Sequence, residues 1–429
     1  MTRKSPARRL DPMTTLVLSA LSLGLAACST NQPTVVEPPA AQPNVRAVDV
    51  PVDPIVLTPL VWSPLVGTIT PVKGTDGKIH LAYELLATNL TSHAVRINGI
   101  EVVDPDRNNQ PVGVDRVVSF KDEDVTGMAR VFGGPATFTS TDYSKDVPAL
   151  QSGLLYIDVT LPEGAAMPSR LKHRLTLASS QHGSAPVTGV SGIVNVSENP
   201  PIVLGPVFKG DGWLNGNGCC TILGPHRYTI LPSNGALRDS ERYAIDFIRL
   251  NSDGRAVIGD VKKLESWPFY GAEILAAAAG KVADAFDGRK DEVPGANPTE
   301  VTVESAAGNF VIIDMGEGHF AMYAHLIPGS LKVKTGDPVA RGQVIGLLGN
   351  SGNSDAPHLH FQVMDRPSPL DAMGLPFVFE QMEYQGRASG IYDAVVDLAS
   401  AGGQLRISTE GAGTRRMQMP LTLDLIGFK

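Results

Sequence analysis

Short stretches of mixed apolar and polar residues, cut by glycine- and proline-rich turns, run from about Ile55 to the end of the chain, and almost none carries a helical period. Side chains on a strand alternate between two faces, so such stretches suit half-buried strands. With 44 glycines and 33 prolines among 429 residues, turns are plentiful enough to separate many short strands. The length gives room for two or three domains and for a core that needs no disulfide staple. The fold class expected is all-β: an N-terminal immunoglobulin-like sandwich over residues 55–199, an antiparallel β-sheet core over residues 200–385, and a β-rich C-terminal extension over residues 386–429 packed on that core.

Within the first region, "IHLAYELLATNL", "AVRINGIEVVD", "GLLYIDVTLP" and "LKHRLTLAS" read as strands, separated by turn clusters such as "KGTDGK" and "DPDRNNQPVG". Its four histidines, His80, His93, His173 and His182, are scattered, and the expectation for each is a surface or satisfied residue without chemistry. "SENPPIVLGPVFKGDGW" marks the boundary. Beyond it, Gly271 to Gly288 is alanine-rich enough for a helix, but its bounding and internal glycines favour two strands and a turn. Gly308 to Leu326 reads as a hairpin around Gly316-Glu317-Gly318.

The first 54 residues differ. Arg3, Lys4, Arg8 and Arg9 precede a short apolar run from Met13 to Cys28, the layout of a secretory signal rather than of a membrane span. Leu25-Ala26-Ala27-Cys28 resembles the lipobox of bacterial lipoproteins. The resemblance implies a signal peptide over residues 1–28 and lipidation of Cys28, with Ser29 leaning towards the outer membrane of a cell that has one. Residues 29–54, rich in proline and small residues, read as a flexible tether. A net charge of -8, with no basic run beyond the first nine residues, speaks against a nucleic-acid partner. Cys219 and Cys220 are adjacent, which leaves a vicinal disulfide or two thiols open and makes a poor zinc-ligand pair.

In "PHLHFQV", His358 and His360 are two apart, so on a strand both imidazoles share one face. The stretch from Ala321 to Val363 contains, in order, "YAHL", "KTGDPV", "GQVIG" and "GNSGNSDAPHLHF". It resembles the core of the lysostaphin-like, LytM-type zinc metallopeptidases of bacterial cell walls, with a looser resemblance back to Trp213. By that resemblance His360 and Asp246 are zinc ligands, His358 handles the water or the developing charge, and His325 is its partner across the groove. One zinc per chain is implied. A catalytic zinc needs three protein ligands and one open position. The glycines from Gly349 to Gly352 are expected to let a peptide backbone approach closely.

One position departs from the family. Four residues before Asp246, where the family carries a ligand histidine, stands Arg242, whose guanidinium has no lone pair to offer. A replacement is at hand in "HRYTILPSNGALRDSERYAIDF". Read as a hairpin with its turn near Ala236, this segment sets His226 opposite Asp246 across two strands. Read otherwise, His226 is an ordinary loop residue. Cys219 or Cys220 is a weaker substitute. Glu241 is expected to point away from Asp246.

The functional expectation is a zinc-dependent endopeptidase that cleaves peptidoglycan stem or bridge peptides at the cell envelope, lipid-anchored to a membrane and facing the wall. The alternative is a degenerate LytM-like domain that binds cell wall or activates another hydrolase, for which Arg242 speaks. A third reading makes the sandwich the working part of an assembly protein.

Overall fold

The computed structural model describes residues 55–112, 129–132, 146–179, 185–220, 225–296, 298, 300–390 and 392–429. The expected signal peptide, Cys28, the tether and His182 lie outside the described residues.

Residues with alternating apolar side chains form the first pair of sheets. One contains Leu60–Pro64, Ile79–Asn89, Ser152–Leu161 and Ala129–Phe132, in that order; the other runs from Thr68–Ile69 through Val187–Val196, Arg170–Ser179 and Val95–Asp104 to Gln110–Pro111. Leu81, Tyr83 and Leu85 of one sheet meet Ile97, Leu175 and Leu177 of the other in a closed apolar core. His173 lies in this core, held by Tyr83 Oη at 2.8 Å and the Gly192 carbonyl at 2.8 Å, and burial pushes its pKa down to about 4. It is a satisfied histidine, as expected.

The strand Ile79–Asn89 is buried almost without interruption, the pattern of a strand covered on both faces. Its second face explains this. Ala82 belongs to the core of the following region, and Glu84 is fully buried.

That following region is built on one long sheet. Its order is Ile202–Leu204, Phe377–Ala388, Asp424–Phe428, Gly210–Asn217, Ile245–Arg249, Leu359–Met364, Phe320–Ala324, Phe310–Asp314, Gly280–Phe286 and Pro338–Val339. All neighbours are antiparallel except Ile202–Leu204, which runs parallel to Phe377–Phe379. Phe208 stacks on Trp213 and meets Phe247 and Phe428 edge-on, so aromatic residues from four separate segments fill one face. The alanine-rich stretch forms two strands, Glu273–Leu275 and Gly280–Phe286. The hairpin around Gly316-Glu317-Gly318 joins Phe310–Asp314 to Phe320–Ala324.

Two expectations are corrected. The C-terminal extension does not lie against a finished core. Phe377–Ala388 runs across the expected boundary at residue 385, and Asp424–Phe428 is hydrogen-bonded between Gly210–Asn217 and Phe377–Ala388. Strands with apolar alternation are drawn into an open sheet edge rather than stacked upon it. The extension also holds a helix, Tyr392–Ser400, among described residues that are mostly strands and turns.

Candidate metal centre and active site

Three adjacent strands bring the sequence candidates together. In the sheet register Asp246 lies opposite His360 on one side and opposite Asn217 on the other, while Ala324 pairs with His360. His325 follows Ala324 directly. The alternation of Leu359–Met364 sets His358 and His360 on one face, as the two-residue spacing predicts.

The Asp246 carboxylate is the hub. His360 Nδ1 is 3.0 Å from Oδ1, His358 Nε2 is 3.4 Å from Oδ1, and His226 Nε2 is 3.1 Å from Oδ2. Asn217 Nδ2 donates to Oδ2 at 3.2 Å. Burial alone would raise the Asp246 pKa, but His226 and His358 outweigh it and hold the carboxyl well below its usual range.

His226 reaches Asp246, but not by the expected route. The hairpin is shorter than read: Ile230–Ser233 pairs with Ala236–Asp239 and stops there. His226 sits before it, in a one-turn 3₁₀ segment Pro225–Tyr228, and Asp246 has already joined another sheet. The ring enters from a turn rather than across a ladder. Its Nδ1 donates to the Ala244 carbonyl at 3.2 Å, and this leaves Nε2 facing the carboxylate.

His360 is arranged in the same way. Its Nε2 donates to Gln362 Oε1 at 2.6 Å and its Nδ1 faces Asp246. Two imidazoles thus commit one N–H each to a neutral acceptor and aim their second nitrogen at one carboxylate. Their ligand atoms and that of Asp246 lie within 4.8 Å of one another. Acceptors that converge so closely need a cation among them. Without a metal, protons do this work: burial lowers the His360 pKa, but Asp246 outweighs it and raises it to about 9. Ligand atoms about 2 Å from a tetrahedral zinc stand roughly 3.3 Å apart, close to the separations at Asp246. The donor set of two imidazoles and one carboxylate therefore fits zinc.

Beside this triad stand His325 and His358, their ring centroids 4.5 Å apart. His325 adopts φ +62, a left-handed conformation uncommon for a residue with a side chain. Its Nδ1 donates to the Ser351 carbonyl at 2.7 Å. Burial, reinforced by His358 and His360, holds its pKa well below the usual value, so the ring is neutral. His358 is the opposite case. Burial lowers its pKa, but Asp246 outweighs this and raises it. Its Nδ1 donates to the Ala356 carbonyl at 2.8 Å, with Ser354 Oγ at 3.2 Å.

The glycine-rich loop therefore serves the histidines rather than a ligand backbone. A Cβ on Gly349 would stand 2.5 Å from Ile327 N and 2.8 Å from His325 O, so the chain that approaches closely is the protein's own. Arg242 does not enter the centre. It is buried, and its guanidinium pairs with Glu84 and Asp239. Cys219 and Cys220 are bonded to each other and supply no ligand. Glu241, in the turn before Ile245–Arg249, lies near enough for its charge to add to the rise of the His360 pKa. Sequence reasoning missed Asn217, Ala244, Ser351, Ser354 and Gln362. Only Gln362 carried a usable signal, since it is two residues from His360 on the same strand face.

The family model of peptidase family M23 matches residues 268–372. This stretch contains His325, His358 and His360. It is a lysostaphin-like, LytM-type peptidase domain of family M23. Asp246 and His226 precede the matched stretch of the M23 domain, so the structure, not the match, joins them to it. The chain is 45% identical over 67 residues to the peptidoglycan DD-endopeptidase ShyA of Vibrio cholerae, covering 16% of this chain and 15% of that protein. It is 38% identical over 84 residues to lysostaphin of Staphylococcus simulans, covering 19% of this chain and 17% of that protein. The chain thus spans less than a fifth of the length of these curated relatives. The solved catalytic domain of lysostaphin from Staphylococcus simulans aligns at 26% identity over 39% of this chain and 88% of that chain, with a TM-score of 0.21.

Proposed function

We propose that this M23 chain is a zinc-dependent endopeptidase that cleaves peptide crosslinks of peptidoglycan at the cell envelope. The observation that carries the reading is the convergence of His226 Nε2, His360 Nδ1 and the Asp246 carboxylate, each imidazole with its other nitrogen already committed. The relatives named as peptidoglycan endopeptidase and lysostaphin support the substrate class. The basic, apolar, small-residue layout before Cys28 supports export with a lipid anchor at that cysteine; in the same reading the proline-rich residues 29–54 act as a tether and the sandwich over residues 55–199 as a spacer or binding module.

In this reading His226, Asp246 and His360 hold one zinc per chain. When bound, zinc polarises the scissile carbonyl and lowers the pKa of the attacking water. The chain's own groups divide the proton work. His325 is neutral, and with Nδ1 donating to Ser351 its Nε2 is free to take a proton as general base. His358 favours its charged form beside Asp246 and can give a proton to the leaving amine or donate to the oxyanion. A neutral and a charged imidazole side by side are the pairing that acid–base chemistry needs near neutral pH.

The degenerate reading rests on Arg242. It loses its main support once His226 stands at the carboxylate that Arg242 cannot serve. Metal analysis of the purified protein tests the choice. The expected result is one zinc per chain, lost together with muropeptide cleavage in His360→Ala. A protein that carries no zinc near neutral pH and leaves muropeptides intact would return the chain to the non-enzymatic class.

A further inference from the structure

The ring of His226 is set from both sides by segments that reach into the sandwich. Arg227, its neighbour in the chain, is buried; Nε donates to Glu84 Oε1 at 3.1 Å, and Nη2 is 2.8 Å from the same oxygen. Nη2 also donates to the carbonyls of Tyr83 at 3.3 Å and Ile157 at 3.4 Å. On the other side, Ala244 supplies the carbonyl that takes the His226 Nδ1 proton. The two residues before it are tied to the same sandwich strand: Arg242 Nε donates to Glu84 Oε2 at 2.8 Å, and Tyr243 Oη donates to the Ala82 carbonyl at 2.9 Å. One buried carboxylate thus holds Arg227, the residue after His226, and Arg242, two residues before its acceptor, while the Ala82 carbonyl of the same strand holds Tyr243.

We propose that Glu84 is a positioning residue for the metal centre, so that the sandwich completes the site of the peptidase domain. This rests on the zinc reading above. Arg242, at the position where a ligand histidine is expected, becomes part of the frame that holds the replacement ligand. Groups that orient a metal-binding imidazole typically govern affinity by 10–100-fold when removed. Taking away the Glu84 carboxylate leaves the Arg227 guanidinium buried without its anion and Arg242 with Asp239 alone, an imbalance that the fold relieves by moving them. Either movement displaces His226 or its acceptor.

The test is zinc affinity of the full chain, read by chelator competition, with cobalt(II) absorption as a report on the ligand set. Glu84→Gln is expected to weaken zinc binding about 10–100-fold and to alter the cobalt spectrum, with partial recovery in Glu84→Asp. Glu101→Gln, which removes a sandwich ion pair with Arg174, is expected to leave both unchanged. Should Glu84→Gln fail to fold, the triple variant Glu84→Leu, Arg227→Met, Arg242→Leu replaces the buried charges with apolar volume and carries the same expectation. A folded Glu84 variant with wild-type zinc affinity and cobalt spectrum overturns the proposal while leaving the zinc reading standing. A wild-type chain that binds no zinc removes the zinc reading and this proposal together.

Discussion

Among the described residues, two clusters have the make-up of a metal site, and they differ in where the second imidazole nitrogen goes. His80, Asp158 and Cys220 offer three ligand atoms as close together as those of His226, Asp246 and His360. At His80 both nitrogens face carboxylates: Nε2 is 3.2 Å from Asp76 and Nδ1 is 3.5 Å from Asp158. Burial lowers the His80 pKa, yet Asp158 and Asp76 outweigh it and raise it to about 9, so the ring is a cation held between two anions. Its sulfur neighbour is bonded to Cys219. In the second cluster the spare nitrogens donate to the neutral oxygens of Ala244 and Gln362, and two further nitrogens face one carboxylate. The clusters thus differ in the partner of the second nitrogen: a second carboxylate at His80, a neutral oxygen at His226 and His360.

The comparison breaks most visibly at the ligands. His226→Ala is expected to take zinc from one per chain to none, whereas His80→Ala keeps the full complement; elemental analysis of both proteins decides between the clusters. The next largest effect belongs to the groups beside the metal. His325→Gln and His358→Gln are expected to retain zinc and lose roughly 10²–10⁴-fold in turnover, measured by muropeptide digestion.

A pH titration sharpens the contrast further. The metal-free His360 holds a proton up to about pH 9, and zinc must displace it. Affinity is therefore expected to climb by about tenfold per pH unit towards pH 9 and then to level, as read by chelator competition. The smallest effect falls on His80. Its folded pKa lies above the ordinary 6.5, so its ion pairs stabilise fully below that pH and lose their contribution as pH rises through about 9. His80→Gln is expected to flatten denaturation midpoints over this window without changing zinc content.

The part of the site that rests on local spacing was legible in the sequence. His358 and His360 share a strand face, and their loop and the "YAHL" segment came with a recognisable order. His226 was legible only as a residue in reach. Its hairpin turns at Asn234-Gly235 rather than near Ala236, and the turn signal does not say where pairing ends. The work of Arg242 was not legible at all. Its partner Glu84 is distant in the chain, in a different pair of sheets, and no pattern in either segment announces the other. The all-β class followed from alternation and turns, while the helix Tyr392–Ser400 was hidden among strand-like pieces of similar length.

The strand Asp424–Phe428 has a consequence for the order in which this molecule can be assembled. It fills the gap between Gly210–Asn217, which carries Asn217 beside Asp246, and Phe377–Ala388. A chain delivered from its N-terminus reaches that strand only after every residue of the active centre has emerged. Until then one edge of the sheet beneath Asp246 has unpaired N–H and C=O groups. Loss of Asp424–Phe428 would reopen that edge and so disturb the sheet beneath Asp246 without touching a single histidine.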